Sequence, residues 1–176
     1  MTNFIYIATS LDGFIATPDG GIDWLSEIPN PDHGDFGFSD FMDTIDAVVM
    51  GRNTFEKLLS FNEWPYDKPV FVLSNRMREV PIHLEDKAEI VGGDIKDLCD
   101  GLTKRGYRNL YIDGGKVIQS FLREDLIDEM IITRIPIILG DGIPLFSDLD
   151  HAVKFKHEDT VIFNNHLVKS HYIRVK

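Results

Sequence analysis

The apolar run Val48-Val49-Met50 ends in Gly51 and Arg52, and Phe55, Leu58 and Leu59 then fall on one helical face. That is a strand, a glycine, a cation and a helix start. A glycine at such a junction lets the backbone approach a ligand closely. The helix behind it points unpaired N–H groups and its positive dipole end at whatever occupies the turn. Arg52 adds a planar donor fork suited to phosphate. The plan recurs where Leu110-Tyr111-Ile112 leads through Asp113 to Gly114, Gly115 and Lys116, with a second helix starting at Val117-Ile118. A steric turn needs only the glycines, so two strand–glycine–cation–helix junctions point to a phosphorylated ligand.

Composition narrows the ligand. The chain has 176 residues, 43% of them apolar, which suits one domain spanning 1–176 with a proper core and excludes intrinsic disorder. Its 29 acidic and 18 basic side chains argue against nucleic acid. In so acidic a chain, cations that directly follow apolar strands (Arg52, Arg76, Lys116) stand out. The longest apolar runs, such as 135–139, are too short to span a bilayer, and no basic, cleavable leader opens the chain. With a single cysteine, Cys99, this reads as a soluble, cytoplasmic protein. The six histidines show no metal-ligand spacing, so no metal is expected.

The elements that must position these residues alternate. Strands are expected near 4–8, 45–50, 69–74, 89–91, 110–112 and 130–135, with helices around Phe38–Ile45, after Gly51, over 95–104 and over 117–123. Gly106 should end the third helix, and Asn164-Asn165 should turn an antiparallel hairpin between 161 and 168. Strand–helix alternation implies parallel pairing with helices on both faces. Ligands of such sheets bind beyond the carboxyl ends of the strands, where Gly51, Ser74 and Gly114 all lie.

Met50-Gly51-Arg52-Asn53-Thr54, Val72-Leu73-Ser74-Asn75-Arg76 and Ile112-Asp113-Gly114-Gly115-Lys116-Val117-Ile118 occur in this order and spacing. With Ser10-Leu11-Asp12-Gly13 and Leu139-Gly140-Asp141-Gly142, they resemble the dihydrofolate reductase superfamily. Within it, they are closer to the reductase domain of riboflavin biosynthesis than to dihydrofolate reductase proper. The resemblance covers nearly the whole chain. It implies a three-layer α/β fold with a mostly parallel central sheet and an antiparallel C-terminal hairpin, and NADPH as hydride donor. Carried over residue by residue, it puts Gly51, Arg52, Asn53 and Thr54 at the cofactor phosphates. Ser74, Asn75 and Arg76 would receive the adenosine 2′-phosphate, and Lys116, Val117 and Ile118 would lie beside the pyrophosphate. Ala8 and Ile15 would hold the nicotinamide carboxamide by their backbones. Gly114 and Gly115 resemble a pair joined by a cis peptide in this family. Plainer readings stand beside these: Arg52 as a surface cation, Arg76 as a counter-charge to Glu79, Ser74-Asn75 as turn formers.

Hydride transfer to a C=N bond also needs a proton donor and a pocket for the ring. The family's substrate carboxylate, counted back from Gly51, corresponds to Asp35, near the helical face of Phe38, Met42 and Ile45. Beside an apolar wall its pKa would be raised. Equally, Asp35 or Ser39 serves as a helix cap. Thr133 matches a pocket-lining threonine of the family. The folate enzymes' tryptophan–proline pattern is missing; Trp24 sits in Asp23-Trp24-Leu25 instead. The resemblance therefore implies an oxidoreductase acting on a small heterocycle, as dihydrofolate reductase or 5-amino-6-(5-phosphoribosylamino)uracil reductase does, with no membrane partner and a possible homodimer. The alternative is an NADP(H)-binding module that has lost turnover.

Overall fold

A computed structural model describes residues 1–31 and 33–175. In chain order the elements of the first half are β1 (Thr2–Thr9), β2 (Phe14–Ala16), α1 (Phe38–Asp43), β3 (Ala47–Gly51), α2 (Arg52–Leu59), β4 (Val70–Leu73) and β5 (Ala88–Val91). There follow α3 (Ile95–Lys104), β6 (Asn109–Asp113), α4 (Gly115–Arg123), β7 (Glu129–Arg134), β8 (Ile143–Pro144), β9 (Phe155–Phe163) and β10 (Leu167–Arg174). Eight strands form one sheet in the order β5-β4-β3-β6-β1-β7-β10-β9. Pairing is parallel from β5 to β7, and antiparallel where β10 joins β7 and β9.

The apolar runs are continuous because both faces of the sheet are covered. Ala47 and Val49 of β3 turn to one side, into a core with Leu102 of α3 and Val117, Ile118 and Phe121 of α4. Val48 and Met50 turn to the other, against Phe41 of α1 and Phe55 of α2. Burying one such side chain contributes about 1.5–3 kcal/mol, so these two cores set the three-layer arrangement. α3 starts where expected because the Asp94 side chain accepts from the Lys96 and Asp97 N–H groups, and it ends before Gly106 at φ 97°. Asn164 and Asn165 both take positive φ, 51° and 55°, as the tight hairpin between β9 and β10 demands.

Two features exceed the sequence-based expectation. The hairpin strands are long, with β9 beginning at Phe155, and β2 pairs antiparallel with β8 in a small second sheet. Cys99 is buried in the first core, which pushes its thiol up to about 11 and leaves it inert as a nucleophile. Among the described residues no helix is long and apolar enough to cross a membrane.

Candidate active site

The carboxyl ends of the central strands stand level. Gly51 is in register with Leu73 of β4, and Met50 with Asp113 of β6, so Gly51, Ser74 and Gly114 emerge side by side at one edge of the sheet. The two glycine turns also interlock. A Cβ on Gly114 would overlap Thr54 Oγ1 of α2, one on Gly51 would lie 3.1 Å from Val117 Cγ2 of α4, and one on Gly115 would lie 2.8 Å from Ile15 Cδ1. Residues from β2, β3, α2 and α4 thus pack closely around two turns where glycine avoids a clash.

Gly114 has φ 90° and ψ 134°, a conformation essentially restricted to glycine, and reverses the chain directly into α4. The Gly114–Gly115 peptide is trans, correcting the cis bond that the family resemblance implied. The positive φ of Gly114 itself makes the sharp reversal. Gly114→Ala is expected to cost at least about 1–3 kcal/mol from backbone strain alone, read as a drop in thermal midpoint. Adding Thr54→Ala should recover the steric part and leave the strain.

The cations are disposed unequally. Arg52 Nη1 bonds Glu56 Oε1 at 3.0 Å, one turn along its own helix, which offsets the unfavourable dipole at the α2 start. Asn53 beside it is exposed. Arg76 and Lys116 are exposed and enter no ion pair among the described residues. The Arg76 turn is built by Ser74, whose Oγ accepts from Arg76 N at 3.2 Å and Met77 N at 3.0 Å. Asn75 is exposed next to Arg76. Val117 and Ile118 are buried at 5% and 0% exposure, with the Val117 side chain packed against the Gly51 turn.

Ala8 and Ile15 are fixed by a latch between two of the sequence motifs. The buried Ser10 hydroxyl donates to Asp12 Oδ1 at 2.6 Å and accepts from Phe14 N. The Asp12 carboxylate then takes Leu139 N at 3.2 Å and Gly140 N at 2.8 Å. The Ser10 hydroxyl above all, with these N–H groups, holds its carboxyl below the usual range. Ser-Leu-Asp-Gly and Leu-Gly-Asp-Gly are therefore two halves of one loop clamp.

The substrate side departs from expectation. Asp35 is exposed, not set in an apolar wall: Gly37 N and Ser39 N donate to its two oxygens at 2.9 and 2.8 Å. Bonds from Ser39 and Gly37 favour the ionised form and hold the carboxyl down at about 2, the reverse of the raised pKa expected. Asp35 is thus a cap for the turn that leads into α1. That turn is strained, with Phe36 at φ 56° and Gly37 at φ 87°. Thr133 is buried in β7, paired with Ala8 of β1 on one side and Lys169 of β10 on the other.

Among the described residues the carboxyl pushed upward is Asp113, which sequence reasoning quoted in a motif but did not single out. It ends β6, immediately before Gly114, and accepts from Tyr66 Oη at 3.2 Å. Loss of water around it raises its pKa, and the same surroundings drive the Tyr66 and Tyr111 phenols well above their ordinary value. The available signal was its position: an acidic residue closing an apolar strand at the ligand edge.

A sequence model described as the RibD C-terminal domain matches residues 4–169. The uncharacterized protein YwjB of Bacillus subtilis (strain 168) is 38% identical over 173 residues, covering 97% of this chain and 96% of that protein. A crystal structure of a Shewanella sp. PV-4 protein named for riboflavin biosynthesis is 50% identical, with TM-score 0.97 and complete coverage of both chains. More distant structures share the fold. A Thermotoga maritima deaminase/5-amino-6-(5-phosphoribosylamino)uracil reductase has TM-score 0.76 at 19% identity, over 99% of this chain and 56% of that one. Dihydrofolate reductase from Enterococcus faecalis, solved with NADP(H) and RAB-propyl, has TM-score 0.70 at 18% identity, over 99% of this chain and 97% of that one. The motifs that interlock at the sheet edge thus lie within the matched span, and this chain belongs to the RibD C-terminal domain family.

Proposed function

We propose that this protein is an NADPH-dependent reductase that delivers hydride to a small heterocycle, a pterin or a riboflavin-pathway aminopyrimidine. The observation that carries the reading is the pair of interlocked glycine turns at level strand ends, with Arg76 and Lys116, which enter no ion pair among the described residues, at the same edge. Backbone N–H groups at two helix starts suit a pyrophosphate, and Ser74, Asn75 and Arg76 suit a 2′-phosphate. Gly51, Arg52, Asn53 and Thr54, with Gly114 to Ile118, would hold the phosphates. The backbones of Ala8 and Ile15 would take the carboxamide. NADPH, when bound, supplies the hydride. Asp113, whose carboxyl is pushed upward beside Gly114, would be the proton donor, Thr133 would line the pocket, and Asp35 holds the α1 turn in place. A reductase named among the relatives and a neighbour solved with NADP(H) support the same reading.

The test is loss of reduced-nicotinamide absorbance when purified protein is mixed with NADPH and either a dihydropterin or 5-amino-6-(5-phosphoribosylamino)uracil. Oxidation that needs both protein and acceptor supports the reading. Failure of NADPH to bind in a calorimetric titration removes it.

We further propose that the protein works as a homodimer joined through β9. Among the described residues this edge strand pairs with β10 alone, and residues 156–162 are exposed on both faces, with Ile162 at 62% and Val161 at 40% exposure. A long open edge with apolar side chains invites a partner strand. Ile162→Lys is expected to convert a dimer to a monomer in sedimentation analysis while leaving NADPH affinity unchanged.

A further inference from the structure

Lys169 of β10 pairs with Thr133 of β7, which pairs with Ala8 of β1. Directly paired residues share a face of the sheet, and adjacent strands lie about 4.8 Å apart, so Lys169 stands about 10 Å along this row from Ala8. Its ammonium donates to Phe36 O at 2.7 Å and lies 5.1 Å from the Phe163 ring centre and 5.7 Å from that of Tyr6. The side chain is half-buried, and it enters no ion pair among the described residues. In a chain of net charge −11, a half-buried lysine held by two aromatic rings and one carbonyl keeps donor capacity in reserve. Gly37 packs closely on it, since a Cβ there would lie 2.9 Å from the ammonium.

We propose that Lys169 sets substrate choice by binding an oxyanion, phosphate or carboxylate, carried by the substrate at the far end of the row from Ala8. This rests on the reductase reading above and adds the charge class of the substrate. The competing role is purely structural. Tyr6 Oη donates to the same Phe36 carbonyl at 3.0 Å, so Lys169 could be only a second latch on the strained turn.

The experiment compares wild type, Lys169→Met and Lys169→Arg on paired acceptors: the aminopyrimidine with and without its 5′-phosphate, and dihydrofolate against a dihydropterin lacking the carboxylate tail. Lys169→Met should lower kcat/KM for a charged member by about 10–100-fold, the range of a lost charge-assisted bond, and leave its uncharged counterpart within about twofold. Lys169→Arg should keep most of the preference. Whichever pair responds identifies phosphate or carboxylate. An equal loss on both members, or on neither, overturns the proposal in favour of a latch. In parallel, ribose 5-phosphate is titrated calorimetrically into the NADP+-loaded proteins. If no heterocycle is reduced but ribose 5-phosphate binds wild type and not Lys169→Met, Lys169 stands and the reductase reading fails. If ribose 5-phosphate does not bind, or binds both alike, and no charged acceptor is preferred, Lys169 has no such role.

Discussion

Asp113→Asn is expected to lower turnover by about 10²–10⁴-fold, the usual share of a positioned general acid, without reducing NADPH affinity or thermal stability. The separation of the two effects follows from the sign of the shift. The Asp113 carboxyl is pushed up from its ordinary range, chiefly by loss of water, so the folded chain holds this proton more tightly than the unfolded one. Its contribution to stability is therefore fully present below the ordinary carboxyl pKa and is lost as pH rises through the raised value. Asparagine imitates the protonated form at every pH and keeps an acceptor for Tyr66 Oη. The variant should be at least as stable as the parent at neutral pH, yet have no proton to give. The parent's rate should fall as pH rises through the raised pKa, and that limb should be missing from whatever residual activity the variant keeps. Asp35 is the control. Its carboxyl is held at about 2, so it is ionised throughout the working range; its stabilising effect is present above the ordinary pKa and lost as pH falls through about 2. Asp35→Asn should leave the alkaline limb where it was. Parent-level turnover in Asp113→Asn, or a limb that moves with Asp35, would reverse the assignment.

Where the sequence was legible, local chemistry and burial agreed. The 95–104 helix has a capping aspartate before it and a glycine after it, and the chain obeys both. Apolar runs such as 47–50 could only be strands covered on two faces, and the two cores show this. The glycine turns were legible because a sharp reversal or a close approach of backbone requires glycine at fixed points, and a type requirement is visible in one sequence. The substrate side was less so. Helical spacing placed Asp35 beside Phe38 and Met42, but Phe36 and Gly37 both adopt positive φ, so the helix starts only at Phe38 and Asp35 turns back to cap it. No periodicity argument anticipates two left-handed residues in a row. Asp113 and Lys169 escaped notice because their importance lies in neighbours distant in sequence: Tyr66 for one, Tyr6 and Phe36 for the other. His171 bonds Glu129 Oε2 at 2.8 Å between neighbouring strands, again a contact that depends on pairing rather than spacing.

Arg76→Ala should weaken NADPH binding by about 1.5–3 kcal/mol, the worth of charge-assisted bonds to a phosphate, which corresponds to a rise in Kd of about 10- to 150-fold. NADH binding should not change, because the nucleotides differ only in the 2′-phosphate that Arg76 is proposed to meet. The structure makes this a sharp test. Arg76 is exposed and enters no ion pair among the described residues, so its removal breaks no internal contact of that kind. The turn beneath it is held by Ser74 Oγ and by Ser74 N donating to Val91 O at 2.9 Å, neither of which uses the guanidinium. Stability should therefore stay level while selectivity for NADPH over NADH collapses. Arg52→Ala gives the contrast. That guanidinium is engaged with Glu56, and it lies at the turn proposed to meet phosphates common to both nucleotides. Its loss should weaken NADPH and NADH alike and leave their ratio intact. Calorimetric titration of both variants with both nucleotides separates the two roles. An Arg76→Ala variant that still prefers NADPH would move the 2′-phosphate away from the Ser74–Arg76 turn, and equal, undiminished binding in both variants would remove the phosphate reading of these cations.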